Sequence, residues 1–266
     1  MSTLVHHVAP LLLVMFRLSG VFMLAPIAAS LAIPAKVRVL LCFILAVCVY
    51  PTVQAPVGGG EFTDIFTLVM VGAGEVFIGF VIGLLALLPV VAVQLAGVLM
   101  GQQMGFGLGQ LYNPMLETES DLIGEVLAQL AIGIFIAVGG LEMLFQCVAN
   151  SFERVPLGAV AVGDAPFNLV LSTATSGFEL ALRVSTPVLG IIFIETLASS
   201  FLMKTIPALN ILSIGFAVKV ILGLVALAWG LNAMDGAIGE HIAETGRQLL
   251  NWSSQTRPPV GSGGGL

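Results

Sequence analysis

Several ionisable residues stand inside long apolar runs: Arg17, Glu75, Glu142, Glu179, Arg183, Glu195 and Lys219. A charge at mid-membrane costs roughly 2.5–3.5 kcal/mol on insertion scales, so each such group needs a counter-charge, a hydrogen-bond partner or a wet cavity. Glu179 and Arg183 are spaced i, i+4 in the favourable order and are expected to pair along one helix. Arg17, Glu75, Glu195 and Lys219 have no local partner of that kind. Bonds between helices or subunits are the expected solution for them, and a proton or ion relay is the less favoured chemistry. Enzyme signatures are missing: there is no H-E-x-x-H, no G-x-S-x-G and no paired metal-ligand spacing, and His241 lies beside Glu240 and Glu244 on what should be a solvated helix end. No catalytic residue, metal site or cofactor is assigned.

Glycine is the other informative type. Gly97, Gly101, Gly105 and Gly109 recur at every fourth position, and Gly79 and Gly83 repeat the spacing earlier. That period puts small residues on one helical face, where another backbone can approach closely and van der Waals packing replaces the hydrophobic effect. The long row is expected to serve a contact between subunits; generic helix packing is an equal reading for Gly79 and Gly83. The row runs into Met104-Gly-Phe-Gly-Leu-Gly-Gln-Leu-Tyr-Asn-Pro114. Each glycine costs a helix about 1 kcal/mol against alanine, so this stretch is expected to be a bendable loop carrying bulky apolar plugs. Irregular backbone at membrane depth survives only inside protein or along a water-filled cavity, which points to a constriction. The pattern lacks the spacing, the preceding strand and the following helix of a nucleotide-binding loop.

The elements that must hold these residues follow from composition. Of 266 residues, 58% are hydrophobic and only 9% charged, with a mean hydropathy of +1.08. A soluble domain carries roughly 25% charged residues, and disorder demands more polarity still. The chain therefore reads as an integral membrane protein in contact with lipid, or as a subunit whose apolar surface other subunits cover. A net charge of −6 leaves no basic footprint for nucleic acid. Cys42, Cys48 and Cys147 are expected to be core filler.

Apolar stretches run from about Leu11 to Ile33, Arg38 to Glu61, Glu75 to Glu117, Leu122 to Val148, Phe167 to Leu202 and Ile206 to Asn232. They predict six or seven long helices, with Pro89 splitting the charge-free stretch after Glu75 into two passes. A tight basic turn is predicted at Pro34–Arg38, where Lys36 and Arg38 seek water. Loops are expected at about 51–64, 105–120 and 153–166. Met1 to His7 lacks Lys and Arg and is expected to lead into a retained first helix rather than a cleaved signal. Lys204-Thr-Ile-Pro207 joins two arms, about 167–203 and 208–250, in one long helical hairpin, and 251–266 reads as a flexible tail.

The runs Arg17-Leu-Ser-Gly-Val-Phe-Met-Leu-Ala-Pro26 and Ile33-Pro-Ala-Lys-Val-Arg38 resemble the N-terminal signature of the FliR family of flagellar type III export gate proteins, related to the SctT virulence-system proteins. Gly74-Glu-Val-Phe-Ile-Gly79, Gln94-Leu-Ala-Gly97, Gln103-Met-Gly105, Asn113-Pro114, Ser151-Phe-Glu-Arg-Val-Pro156, Lys204-Thr-Ile-Pro-Ala-Leu-Asn210 and Gly215-Phe-Ala-Val-Lys219 follow in the family's order, so the resemblance covers about residues 10–250. It implies an all-α fold of kinked and broken helices: a FliP-like portion over 1–166, then a FliQ-like hairpin over 167–250. It also implies FliP-like and FliQ-like subunits, FlhA and FlhB as partners, unfolded flagellar proteins as cargo, and a place in the bacterial inner membrane at the flagellar basal body. The family's plug falls on the loop at about 105–113, with Met104, Phe106, Leu108, Leu111 and Tyr112 as the occluding residues. From the residues alone, the alternative is a secondary transporter or channel using Lys219, Glu195 and Glu75, with the Pro89 break as a discontinuous helix.

Overall fold

Long apolar runs without water-competing side chains leave the backbone one economical way to satisfy its polar groups, the α-helix. The computed structural model describes residues 2–26, 34–53, 65–106, 122–158, 166–205 and 211–255. Among them every regular element is helical: α1 (Ser2–Leu24), α2 (Ala35–Val49) followed by a 3₁₀ turn (Tyr50–Thr52), α3 (Ile65–Met104), α4 (Leu122–Ala137), α5 (Gly140–Arg154), α6 (Phe167–Thr205) and α7 (Ile211–Ser254). The all-α membrane-type fold expected from composition is what the chain adopts. Ala35–Thr52, Phe66–Met104 and Phe167–Leu202 are each long and apolar enough to cross a membrane, and up to 5 such spans arise if two broken helix pairs count.

Three sequence expectations need correcting. Pro89 does not divide its segment, because α3 runs unbroken through it for 40 residues; Pro10 and Pro187 likewise lie inside α1 and α6. A proline removes one backbone donor, but in an apolar setting no water competes for the rest of the ladder and neighbouring helices take up the distortion. The expected 122–148 helix breaks instead between α4 and α5, where Gly139 takes a left-handed φ of +81° that other residues rarely adopt. The tail begins later than residue 251, since α7 continues to Ser254 and buries Trp252 and Ser253.

The chain groups into two compact units that interleave along the sequence: one from 1–87, 139–173 and 243–266, the other from 88–138 and 174–242. In the first unit α1 packs on α2 and α3, and Leu13, Val14, Leu18, Ile78, Ile82 and Leu85 are almost wholly enclosed. In the second, Val93, Ala96 and Met100 of α3 share a core with Leu127 and Ala131 of α4, Val188 and Ile192 of α6 and Ile238 of α7. Cys42 and Cys147 are buried as expected of core filler, but Cys48 is exposed on α2.

Candidate functional site

Three of the sequence motifs, far apart in the chain, meet at one buried arginine. Arg17 on α1 is 0% exposed, and its Nε donates to Glu75 Oε2 on α3 at 2.6 Å, a pair separated by 58 residues in sequence. Nη1 donates to Ser151 Oγ of α5 at 3.2 Å, and Nη2 to the Val155 carbonyl at 2.9 Å, just past the end of that helix. The guanidinium also lies 4.2 Å over the Phe152 ring. The second carboxylate oxygen of Glu75 accepts the backbone N–H of Gly158 at 3.1 Å. Ser151 passes the chain on, its hydroxyl donating to the Val148 carbonyl. Arg17 and Glu75 thus tie α1, α3, α5 and the segment after α5 into one satisfied polar network.

Glycines make the arrangement possible. A Cβ on Gly79 would collide with the Arg17 carbonyl, and one on Gly20 with the Val76 carbonyl, so α1 and α3 touch backbone to backbone one turn from the ion pair. Gly83 continues the contact at Val21. The close approach brings Glu75 within reach of Arg17 and keeps water out. A buried pair with every polar atom bonded avoids the cost of a lone buried charge, though burying both charges still costs several kcal/mol each.

The second ionisable cluster is looser. Lys219 Nζ of α7 stands 4.0 Å from Glu195 Oε2 of α6, with the lysine side chain 26% exposed and the glutamate 4%. Ser199 donates to Glu195 Oε1 at 2.6 Å, and Thr196 to Oε2 at 3.4 Å. The other ion pair within 4.0 Å among the described residues is Arg247–Glu244 on the surface of α7. Glu179 and Arg183 do not form the expected pair: both side chains are exposed on α6, where solvent or a neighbour competes for each charge.

The glycine row has a different fate at each position. Gly97 was expected to face another subunit, but it packs against the chain's own α4, where a Cβ would come within 2.5 Å of Gly124. Gly101 is buried inside α3. Gly105 lies beyond the helix, not on its packing face: with φ +91° its N–H donates to the Gln102 carbonyl, while the Phe106 N–H reaches back to the Gly101 carbonyl. This is the Schellman arrangement, in which a left-handed glycine closes the last turn and sets the exit direction of the chain.

Met104, read from sequence as a plug residue, is 0% exposed and seated on Gly223 of α7, whose absent Cβ leaves room for its thioether. It anchors the root of the loop on α7. Phe106 is half-buried at the first step beyond the helix. Leu108, Gly109, Leu111 and Tyr112 lie outside the described residues. Among the described residues, no group of three or more His, Cys, Asp or Glu is placed to hold a metal ion.

Sequence reasoning missed the pairing of Arg17 with Glu75 because no local spacing rule spans so great a separation. The usable signal was two solitary opposite charges, each followed within four residues by a glycine, Gly20 and Gly79, although Lys219 with Gly223 carries the same pattern and so the signal alone does not choose the pair. It also missed Arg154, which donates to the Trp252 carbonyl at 2.6 Å and lies 4.9 Å over its ring, fastening the end of α7 to α5.

An all-α chain with three helices long and apolar enough to cross a membrane is a membrane protein of the helical kind. The family model "Bacterial export proteins, family 1" matches residues 8–245. The chain belongs to that family, the one that contains the FliR proteins. It is 26% identical over 230 residues to the flagellar biosynthetic protein FliR of Bacillus subtilis, covering 85% of this chain and 88% of that protein. It is 30% identical over 183 residues to the secretion system apparatus protein SsaT of Salmonella typhimurium, covering 67% and 70%. With the Yop proteins translocation protein T of Yersinia pestis it shares 25% identity over 158 residues, covering 59% and 60%.

Proposed function

We propose that this chain is a core, non-enzymatic subunit of a type III protein export apparatus of the flagellar kind. With FliP-like and FliQ-like subunits, and alongside FlhA and FlhB, it encloses a pore in the bacterial inner membrane, at the base of the flagellum, through which unfolded flagellar proteins leave the cytoplasm. The observation that carries this reading is the family match over residues 8–245, to which relatives named for flagellar biosynthesis and for secretion both contribute. Residues 1–166 act as the FliP-like portion and 167–250 as the FliQ-like hairpin. The length of α6 and α7 and their contact at Glu195 and Lys219 support the second assignment.

Exposed apolar side chains support a shared surface. Phe201 on α6 is 71% exposed and Trp229 on α7 is 81% exposed, far more apolar surface than a solitary soluble chain tolerates. Sibling helices and lipid cover it in the assembly. Phe106, Leu108, Leu111 and Tyr112 close the pore at rest by excluding water from a narrow passage, and Met104 fastens the loop's root to α7. Deleting residues 105–111, or changing Phe106 and Leu108 together to alanine, is expected to leak ions across the inner membrane while leaving the complex assembled. Ion permeability that stays at the wild-type level in assembled complexes counts against the seal. The broader reading is tested by tagging the chain and purifying it in mild detergent. FliP-like and FliQ-like subunits should accompany it, and a solitary chain whose loss leaves flagella intact contradicts the assignment.

The transporter alternative draws on the Lys219–Glu195 pair, whose lysine is partly exposed. It loses Glu75, whose two oxygens are taken by Arg17 and Gly158 inside a closed network. Substrate-dependent protection of Lys219 from chemical labelling would favour it.

A further inference from the structure

A cavity of about 310 Å³ opens among α1, α2 and α5 of the first unit, at the small end of the range for ligand pockets. Its floor is apolar and enclosed, with Val21 and Leu144 only 2% and 3% exposed, while its rim at Leu41, Ile44 and Phe145 is open. One charged side chain lines it among the described residues, Arg38 near the start of α2, and no carboxylate does. Lys36 stands exposed two positions earlier, also at the positive end of the α2 dipole.

Two further observations bear on what fits. No Asp or Glu precedes Glu61, so the stretch that builds α1 and α2 carries cations alone in a chain whose net charge is −6. And α2 lies in a candidate membrane span of which only 11% is buried by the rest of the chain, so the cavity mouth lies on a surface made for lipid. The ligand must therefore join an anionic group to a slender hydrocarbon. A cavity of about 310 Å³ is too small to enclose a stretch of α-helix about 10–12 Å across, and a free phosphate would leave the apolar floor empty. We infer that the cavity holds an acyl chain of an anionic phospholipid, with its phosphate on Arg38 and Lys36 at the water–lipid boundary. Basic side chains reach such a boundary readily, because their apolar stems lie along hydrocarbon while their heads stay wet.

Native mass spectrometry of the full-length chain in mild detergent, offered phosphatidylglycerol and phosphatidylcholine in equal amounts, tests this. Phosphatidylglycerol should be retained in preference. That preference should fall about 30-fold when Lys36→Gln and Arg38→Gln are combined, because each cation near an anionic headgroup is worth about fivefold in affinity. Lys36→Arg with Arg38→Lys should restore it, which a purely structural role would not require. Ile44→Trp at the exposed rim fills the cavity without touching charge and should lower retention of both lipids. Equal retention of the two lipids by the wild type, or an unchanged preference in the glutamine pair, overturns the inference. If the glutamine pair fails to fold, undiminished lipid binding by Ile44→Trp overturns it instead. So does a cross-link from Ile44→Cys to another subunit, or to residues 27–33, in complexes that carry no phosphatidylglycerol, since the cavity then belongs to protein.

Discussion

The two interior ion pairs of this chain are built to opposite standards. Around Arg17 and Glu75 every bond is short, both side chains are fully enclosed and the flanking backbones touch through glycine. Around Lys219 and Glu195 the charges stand 4.0 Å apart, the lysine keeps a quarter of its surface open, and the adjoining helix faces carry exposed Phe201 and Trp229. The first pair finishes a piece of structure that the chain completes by itself. The second stays partly open, on two helices that also carry exposed Phe201 and Trp229. A charge in an apolar run therefore has two meanings here, and what its neighbouring glycine touches separates them: Gly20 and Gly79 meet the partner helix backbone to backbone, whereas Gly223, four residues after Lys219, meets only the Met104 side chain.

The strongest test of that contrast removes one member of the tight pair. Arg17→Ala leaves Glu75 buried and unpaired, and Glu75→Ala does the same to Arg17; each should cost about 3–5 kcal/mol, enough to abolish accumulation of folded protein. Replacing both together with methionine and leucine should recover most of that loss. Protease resistance of the chain in membranes reads the series, and single variants as stable as the wild type would erase the distinction between the two pairs.

Next in size is the glycine contact. Gly79→Leu drives a side chain into the Arg17 carbonyl and should destabilise by about 1–3 kcal/mol or more, as overpacking does. Gly133→Ala in α4, where nothing lies within 4 Å of the added methyl, should instead stabilise by up to about 1 kcal/mol through helix propensity. Thermal unfolding in detergent that shifts the same way for both would show that glycine acts here through flexibility rather than proximity.

The smallest effect is expected at the loose pair. Lys219→Met should change the stability of the isolated chain by less than about 1 kcal/mol, the range of partly exposed ion pairs. Its consequence should appear in co-purification with partner subunits. A large stability loss with unchanged co-purification would reverse the roles assigned to the two clusters.

Much of the architecture was legible from apolar stretches alone: the α6 and α7 boundaries fall within a few residues of those expected, because long charge-free runs leave few alternatives. Apolar run length alone placed the break at Pro89, which the helix absorbs, and missed the one at Gly139. The Gly139-Gly140 pair was the available turn signal, but whether a glycine takes a left-handed φ or stays helical is not set by composition. Similarly, i, i+4 spacing suggested Glu179–Arg183, which stand apart on an exposed face of α6, and was silent on Arg17–Glu75, where burial makes the pair obligatory. The resemblance motifs did better than any single rule: Arg17, Glu75 and Ser151–Val155 come from three of them and converge on one point.

Met104 lies in the notch that Gly223 leaves in α7, one residue before the turn that ends α3. The outgoing segment thus takes its bearing from a helix more than a hundred positions downstream. Any substitution that fills the Gly223 notch therefore bears on the root of the segment that follows Met104.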